Sequence, residues 1–560
     1  MGVVFFAIVV GTVFYLIFGQ TEKIESESVL ELVLSGSLRD LPSQDPFEQV
    51  FGSSALSLWE LEKVFRYASQ DERISAIYLE IHPLTLNWAY IEELREYIKS
   101  FRESGKPVYA FLAVDMIGDS ELYLAAAANS ITLNPNTALL VNGLLAEVTF
   151  YKGLLDKLSV KPEWFQFKEY KNAENYSREN LTPEMREMLE SILRDMEERF
   201  VATVADDRNT DKATVRRFVE MGIATAEEAQ RNRLVDSLGY RNEILSQLLG
   251  SESDRWDRKR VQASHYLQMI GDKFRIRSRH KVALLGGVGL ITSGRSVPFS
   301  DNMGGTTMVS HLSQIRKNKN LKGVIFRVDS PGGATVGSDM IWKEVQLLEE
   351  ADKPVVVSMS GVAGSGGYYI SMNARHIVSQ PSTITGSIGV LFGKFDLEGL
   401  YEWLGINVDR VKLSPNADIL SFFTSLTDAQ RQRVESLLEA IYVDFVSKAA
   451  EARGMSYEEL EKKARGRIYT GVQAQNIGLV DELGGLRTAI ARMKKLLELP
   501  DEEDIELVLY PRPVSLWERL RSGDLFSSRQ PLDWIRKLKQ EMLPLSRPAP
   551  WLISPDIHIY

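Results

Sequence analysis

The chain has 560 residues, enough for several domains, and its 44% apolar and 25% charged residues are ordinary for a globular protein. A net charge of −10 argues against a nucleic-acid partner, because phosphate binding needs a basic face. The absence of cysteine removes disulfides, thiolate nucleophiles and cysteine-held zinc together.

In chain order, the first element is apolar. Val3–Phe18 runs 16 residues without a charge, against the roughly 17–25 that span membrane hydrocarbon. No small-x-small cleavage site follows at Phe18-Gly19-Gln20-Thr21. Residues 1–20 are therefore read as an uncleaved membrane anchor, with a signal peptide and a buried core helix as alternatives. The flanks carry little positive-inside signal, since no Lys or Arg precedes the run and Glu22, Lys23, Glu25 and Glu27 follow it.

Beyond the anchor, short β-rich runs alternate with helical patterns, and they do so twice. Ile74–Ile81 precedes Gly105–Phe111, and Leu321–Val328 precedes Asp352–Ser358; the Lys-Pro pairs at Lys106 and Lys353 lie 247 residues apart. The spacing nearly holds where Tyr123–Pro135 matches Tyr369–Pro381 and Leu234–Gly239 matches Leu479–Gly484. Such alternation predicts mostly parallel sheets with crossover helices, an α/β architecture built twice. The expected layout is a first copy over 21–249, a charged linker or bridging helix over 250–280, a second copy over 281–500 and an extension over 501–560. In the extension, Ile505–Tyr510 is read as an added strand, and the tail from Leu543 carries four prolines and reads as extended.

The second copy carries two glycine-rich turns. The strand ending at Val328 runs into Asp329-Ser-Pro-Gly-Gly333, and the apolar run Pro354–Ser360 leads to Gly364-Ser-Gly-Gly367. Each turn feeds a helix, whose free N–H groups favour negative charge. Two such N-termini at neighbouring parallel strands can aim donors at one point, as acyl transfer requires when charge builds on a carbonyl oxygen. The candidate donors are the N–H groups of Gly333 and Gly366, and Ser365 is the exposed hydroxyl between glycines; two purely structural turns are the alternative. The first copy lacks this equipment, with His82-Pro-Leu-Thr85 in place of Ser330-Pro-Gly-Gly333 and Asp119 in place of Ser365.

A serine needs a base. The six histidines, His82, His265, His280, His311, His376 and His558, sit in no recognisable motif, and His376 is placed in the helix after Ser365, too far along it; a Ser-His-Asp triad stays open. A lysine made neutral by burial can serve instead. Lys171, behind Tyr170 and the aromatic run Trp164, Phe165 and Phe167, offers such a setting.

The ordered set DSPGG, SGGYY and TGSIG (Thr385–Gly389), inside a tandem repeat behind an apolar N-terminus, resembles the signal peptide peptidase A family of the long, protease IV type, over nearly the whole chain to about residue 500. The resemblance implies tandem Clp-protease/crotonase-like domains and a Ser/Lys dyad. Ser365 would be the nucleophile, Lys171 the general base and Ser387 the residue that holds the lysine, with Gly333 and Gly366 as oxyanion donors. It further implies hydrophobic peptide substrates such as cleaved signal peptides, a homotetramer, no metal or other cofactor, and a single-pass protein of the bacterial inner membrane with its domains on the outer side. One departure stands out: Asn-Ala-Glu-Asn-Tyr follows Lys171, where the family tends to have Ser-Ala-x-Glu-Pro-Phe, which leaves Lys168 as a fallback base. A crotonase-type acyl-CoA enzyme and a catalytically silent membrane scaffold are the rival functions.

Overall fold

The computed structural model describes residues 24–42, 56–171, 174–250, 256, 258–270, 276–297, 302–500, 502–511, 551–553 and 558–559. The apolar run read as a membrane anchor lies outside them, as does Asn172. Among the described residues no helix is long and apolar enough to cross a membrane.

The chain is α/β, with two sheets that share a path of six parallel strands in the same order, the second sheet adding the antiparallel pair Ile384–Gly386 and Ile468–Tyr469. The first runs Ser237–Leu238, Ser130–Leu133, Val108–Leu112, Ile74–Leu84, Ser28–Gly36, Arg260–Gln262. In the second, Glu482–Leu483, His376–Ser379, Val355–Gly364, Leu321–Ser330, Lys281–Val288 and Glu506–Tyr510 follow the same path. Every one of these pairings is parallel. Val355–Gly364 is buried at nine of its ten positions, since helices and loops cover both faces; this is why it reads as a near-continuous apolar run rather than as an alternation.

Two features differ from the sequence reading. The segment 250–280 is more than a linker: Arg260–Gln262 adds an edge strand to the first sheet, and the helix Ala263–Ile270 buries Ala263, Tyr266 and Ile270 in the first core. The counterpart of that strand is Glu506–Tyr510, so the second sheet reaches past residue 500. His376 is the other: the helix after Ser365 stops at Ser371, and His376 opens a strand.

Each half has its own core. In the first, Ile91, Leu94 and Ile98 of the helix Trp88–Glu103 pack with Leu30, Ile77 and Leu79. In the second, Leu438 and Phe445 of the helix Asp428–Arg453 join Val324, Phe326, Val355 and Val357. That long helix starts on a capping box, with Thr427 receiving the Gln430 N–H and the Gln430 side chain returning to Thr427 N, and it ends at Gly454 in the left-handed conformation.

Polar groups join the halves where the first half's helix Trp88–Glu103 meets the second sheet. Arg327, 1% exposed, donates to Asp40 at 2.8 Å, to Ser358 at 2.8 Å, to Ser360 at 3.0 Å and to Glu93. Tyr90 donates to Asp329 at 2.8 Å, and Glu92 accepts from Ser382 N at 2.8 Å. Removing one member of such a buried set leaves the others uncompensated, which costs about 3–5 kcal/mol.

This junction makes stability depend on pH. Burial pushes Asp40 up to about 6 against the pull of Arg327, and burial with Glu93 nearby pushes Glu96 up to about 7. Both pKa values lie above those of the unfolded chain, so between them the folded state holds more protons. Their contribution is therefore full below the unfolded values of 3.8 and 4.5 and is lost as pH rises from there to about 6 for Asp40 and about 7 for Glu96. Asp40→Asn is expected to flatten the fall in thermal midpoint between about pH 4 and about pH 6, read by scanning calorimetry. An unchanged slope would mean that Asp40 titrates as an ordinary carboxylate.

Candidate active site

The second half builds the serine turn. Leu321–Ser330 and Val355–Gly364 lie side by side in the sheet, and both end at glycine turns. Ser365 has φ 54° and ψ −112°, a sparsely populated conformation for a residue with a side chain. The turn is held by Ser365 N donating to Gly386 O at 2.8 Å and by Tyr369 N donating to Ser365 O at 2.8 Å. Gly366 and Gly367 open the following helix, Gly366–Ser371.

Glycine is required here by close approach. A Cβ on Gly367 would lie 2.5 Å from Ser330 O, and one on Gly366 would lie 2.7 Å from Ser338 Oγ and 3.0 Å from Gly333 N. The last contact sets the two candidate donor residues beside each other. Gly333 itself has φ 152°, and its Cβ would fall 2.0 Å from Ile291 O. Ser330, whose hydroxyl donates to Gly289 O at 2.7 Å and accepts from Gly332 N at 3.2 Å, fixes the start of this turn.

The first half supplies the amine. Its strand Lys161–Gln166 crosses over and pairs antiparallel with Leu391–Asp396 of the second half, from Lys161 opposite Asp396 to Gln166 opposite Leu391. Phe167 N donates to Val390 O at 3.1 Å and Tyr170 N to Arg465 O at 3.1 Å, which carries the chain to Lys171. Lys171 is 0% exposed, and its Nζ lies 2.7 Å from Ser365 Oγ, 2.9 Å from Ser387 O and 2.9 Å from Ser387 Oγ.

Burial holds the Lys171 amine well below its ordinary 10.5, and it is the only cause of the shift. The geometry suits the uncharged form. A neutral amine has two N–H groups and one lone pair; the carbonyl of Ser387 can only accept, and its hydroxyl can accept as well. With both N–H groups turned to Ser387, the lone pair faces the Ser365 hydroxyl. An amine so placed can take the hydroxyl proton.

The other candidates lie elsewhere. Lys168 pairs with Glu461 at 3.1 Å and is 31% exposed. His82, His280 and His376 pair with Glu80, Glu503 and Glu482. His311 is half-buried on the helix Gly305–Lys317, and His265 belongs to the helix Ala263–Ile270 of the first half. The side chain of His558 lies outside the described residues. In the first half, the strand Ile74–Leu84 runs straight through His82 and Pro83 with no glycine turn, and Asp119, in the place of Ser365, is the first residue of a seven-residue helix capped by Gly118.

Sequence reasoning missed Gly466. It has φ 84°, and a Cβ there would lie 2.5 Å from Lys171 N and 2.7 Å from Lys171 Cα. Gly466 N donates to Ile388 O at 2.8 Å, which ties this turn to the Ser387 loop. Nothing local marks the glycine, because the backbone it accommodates is almost three hundred residues away in sequence.

Known proteins resemble the chain over both halves. The model of the family described as Peptidase family S49 matches residues 100–251 and 348–500. The chain is 32% identical over 518 residues to "Serine protease SPPA, chloroplastic" of Arabidopsis thaliana, covering 90% of this chain and 74% of that protein. It is 31% identical to "Protease 4" of Salmonella typhi, covering 86% and 80%, and 29% identical to "Protease 4" of Haemophilus influenzae, covering 89% and 84%. Among solved structures, a ClpP1 mutant from Listeria monocytogenes aligns with 40% of this chain and 98% of its own at 16% identity and a TM-score of 0.25, too low a score to add to the fold assignment.

Proposed function

The chain belongs to peptidase family S49, as a serine peptidase of the long protease IV type, and from that premise we propose that it cleaves peptides with a Ser/Lys dyad split between its two halves. Ser365 is the nucleophile, Lys171 the general base and Ser387 the residue that holds the amine. Gly333 and Gly366 donate to the oxyanion. The observation that carries this reading is the 2.7 Å contact between Lys171 Nζ and Ser365 Oγ inside a fully buried site.

The steps follow from the groups present. Ser365 Oγ attacks the scissile carbonyl carbon while Lys171 Nζ takes the hydroxyl proton. The carbonyl oxygen becomes an anion facing the two backbone N–H groups, whose fixed dipoles stabilise it. As the C–N bond breaks, Lys171 gives its proton to the leaving amine, and an acyl-enzyme ester remains on Ser365. Water then enters, Lys171 takes its proton, and the ester breaks to release the acid and restore the serine. Because each half supplies one member of the pair, the reading needs the halves docked as the Arg327 network and the crossing strand dock them.

The fold on this reading is a tandem of Clp-protease/crotonase-like domains, supported by the shared strand order of the two sheets. The substrates are hydrophobic peptides, released signal peptides among them. A membrane anchor at residues 1–20 would hold the site beside such substrates, and the assembly is a homotetramer at the outer side of a bacterial inner membrane. The support for these last points is the apolar run Val3–Phe18 and the family resemblance.

A long incubation with a fluorophosphonate probe tests the reaction class. The expected result is one probe mass per chain, with loss of peptide hydrolysis in proportion to labelling. An unlabelled chain that hydrolyses peptide, or no hydrolysis at all, counts against a serine peptidase and for the acyl-CoA or scaffold alternatives.

A further inference from the structure

The turn 464–467 stands between the two loops that carry the proposed base and the residue that holds it, and its main chain touches both. Arg465 O accepts from Tyr170 N at 3.1 Å, on the first half's approach to Lys171, and Arg467 O accepts from Ser387 N at 2.7 Å. The turn is closed by Arg467 N donating to Ala464 O at 2.9 Å. Ser387 has φ 51°, so its backbone sits in the left-handed region and needs such a tie to stay there. Its carbonyl and hydroxyl are the two groups that receive the Lys171 amine.

The side chain of Arg467 makes the same junction a second time. Its guanidinium forms a two-pronged ion pair with Glu187, at 2.6 and 2.8 Å, on the first half's helix Pro183–Asp207. It also lies 5.1 Å from the centre of the ring of Tyr170, the residue before Lys171. A planar fork suits a carboxylate and a ring face together, which an ammonium group does not. The docking of that helix does not hang on this pair. Ile468, next in the chain, is buried with Met185 and Met188, and Thr470 donates to Asp195 at 2.7 Å. The Arg467 side chain is 20% exposed and that of Glu187 56%, so the pair adds little to stability.

We propose that Arg467 is a positioning residue for the general base. Its carbonyl sets Ser387, its guanidinium sets the lysine loop, and one residue thereby fixes the two relative to each other. The Lys171 amine then keeps its N–H groups on Ser387, its lone pair on the Ser365 hydroxyl, and water away from both. The inference rests on the proposed roles of Ser365, Lys171 and Ser387. Arg467 touches neither the nucleophile nor the amine and acts through the residues that hold them.

The test measures kcat, KM and the pH midpoint of kcat/KM on an apolar peptide, with the thermal midpoint beside them. It uses the full chain, Arg467→Met, Arg467→Lys, Glu187→Gln and the double variant Arg467→Met/Glu187→Gln. Arg467→Met is expected to lower kcat about 100-fold with KM little changed, the loss that a misplacement of about 1 Å brings. Its pH midpoint should rise toward the ordinary 10.5, because water reaching the amine relieves the burial that depresses it. Glu187→Gln should act in the same direction and less, and the double variant should be no worse than Arg467→Met, since both remove one contact. Arg467→Lys, which keeps the charge without the fork, should recover only part of kcat. Thermal midpoints should match the parent's throughout. A parent-like kcat and pH midpoint in Arg467→Met, or a change confined to KM, would overturn the proposal. So would a loss of kcat that follows a lower thermal midpoint with the pH midpoint unmoved. A parent protein whose own pH midpoint lies near 10.4, or hydrolysis at the parent rate by Ser365→Ala, would instead overturn the dyad itself.

Discussion

Ser365→Ala is expected to bring peptide hydrolysis to background, a fall on the order of 10⁴- to 10⁶-fold in kcat, with the fold retained. Loss of the hydroxyl removes the bond-forming atom. The proposed oxyanion donors Gly333 and Gly366 stay in place, and in serine peptidases such a remainder supports only slow turnover. The substitution is mild for stability. Alanine needs the same backbone turn that serine already adopts, with φ 54°, and the hydroxyl's contact with Lys171 is one hydrogen bond, of about 1 kcal/mol. Far-ultraviolet circular dichroism and the thermal midpoint should therefore match the parent while hydrolysis of an apolar peptide disappears. Hydrolysis at the parent rate would remove Ser365 from the mechanism.

Lys171→Met is expected to lower kcat/KM by about 10³-fold or more, since the serine loses its base and general base catalysis alone contributes 10²- to 10⁴-fold. The effect on stability has the opposite sign. The Lys171 amine is held well below its ordinary value by burial, whereas in the unfolded chain it protonates like any lysine. Between those two values the unfolded state binds the extra proton, so the wild-type fold gains stability as pH rises through that window and is least favoured below it. Methionine has no such dependence and fills similar space. The variant's thermal midpoint near neutral pH should equal or exceed that of the parent, and any gain should shrink as pH rises toward about 10.4. A sharply lower midpoint near neutrality would indicate a charged, stabilising lysine instead, which could not act as a base.

Much of this was legible in the sequence because it rests on local chemistry. Glycines around Ser365 and after Pro331 mark turns that need close backbone approach, and the structure shows what they approach: Ser330 O, Gly333 N and Ile291 O. The two-fold repeat was legible from the spacing of the Lys-Pro pairs, and it reappears as two sheets of one strand order. The unread parts are long-range. Lys171 reaches the serine through an antiparallel crossing of Lys161–Gln166 on Leu391–Asp396, which no pattern within either strand announces; its aromatic neighbours offered it as a candidate, and the family resemblance gave it the role. Arg327 interrupts an apolar strand and so calls for partners, but Asp40 and Glu93 are named only by the fold. Arg260–Gln262 is too short and too charged to read as a strand, and it becomes one by pairing with Val29–Glu31. The pairing of Trp551–Ile553 with Gly332–Ala334 and Leu391 is likewise a property of the two edges that receive it rather than of the tail.

The dependence of kcat/KM on pH, measured on an apolar peptide from about pH 5 to about pH 11, tests the split dyad most directly, because it reads the proton on the base of the free enzyme. If a buried, neutral Lys171 activates Ser365, the rate rises with loss of one proton and levels off, with a midpoint well below the ordinary lysine value of 10.5. A rate that keeps rising until an ordinary, solvated lysine would titrate, near 10.4, would show that Lys171 is charged at rest and is not the base.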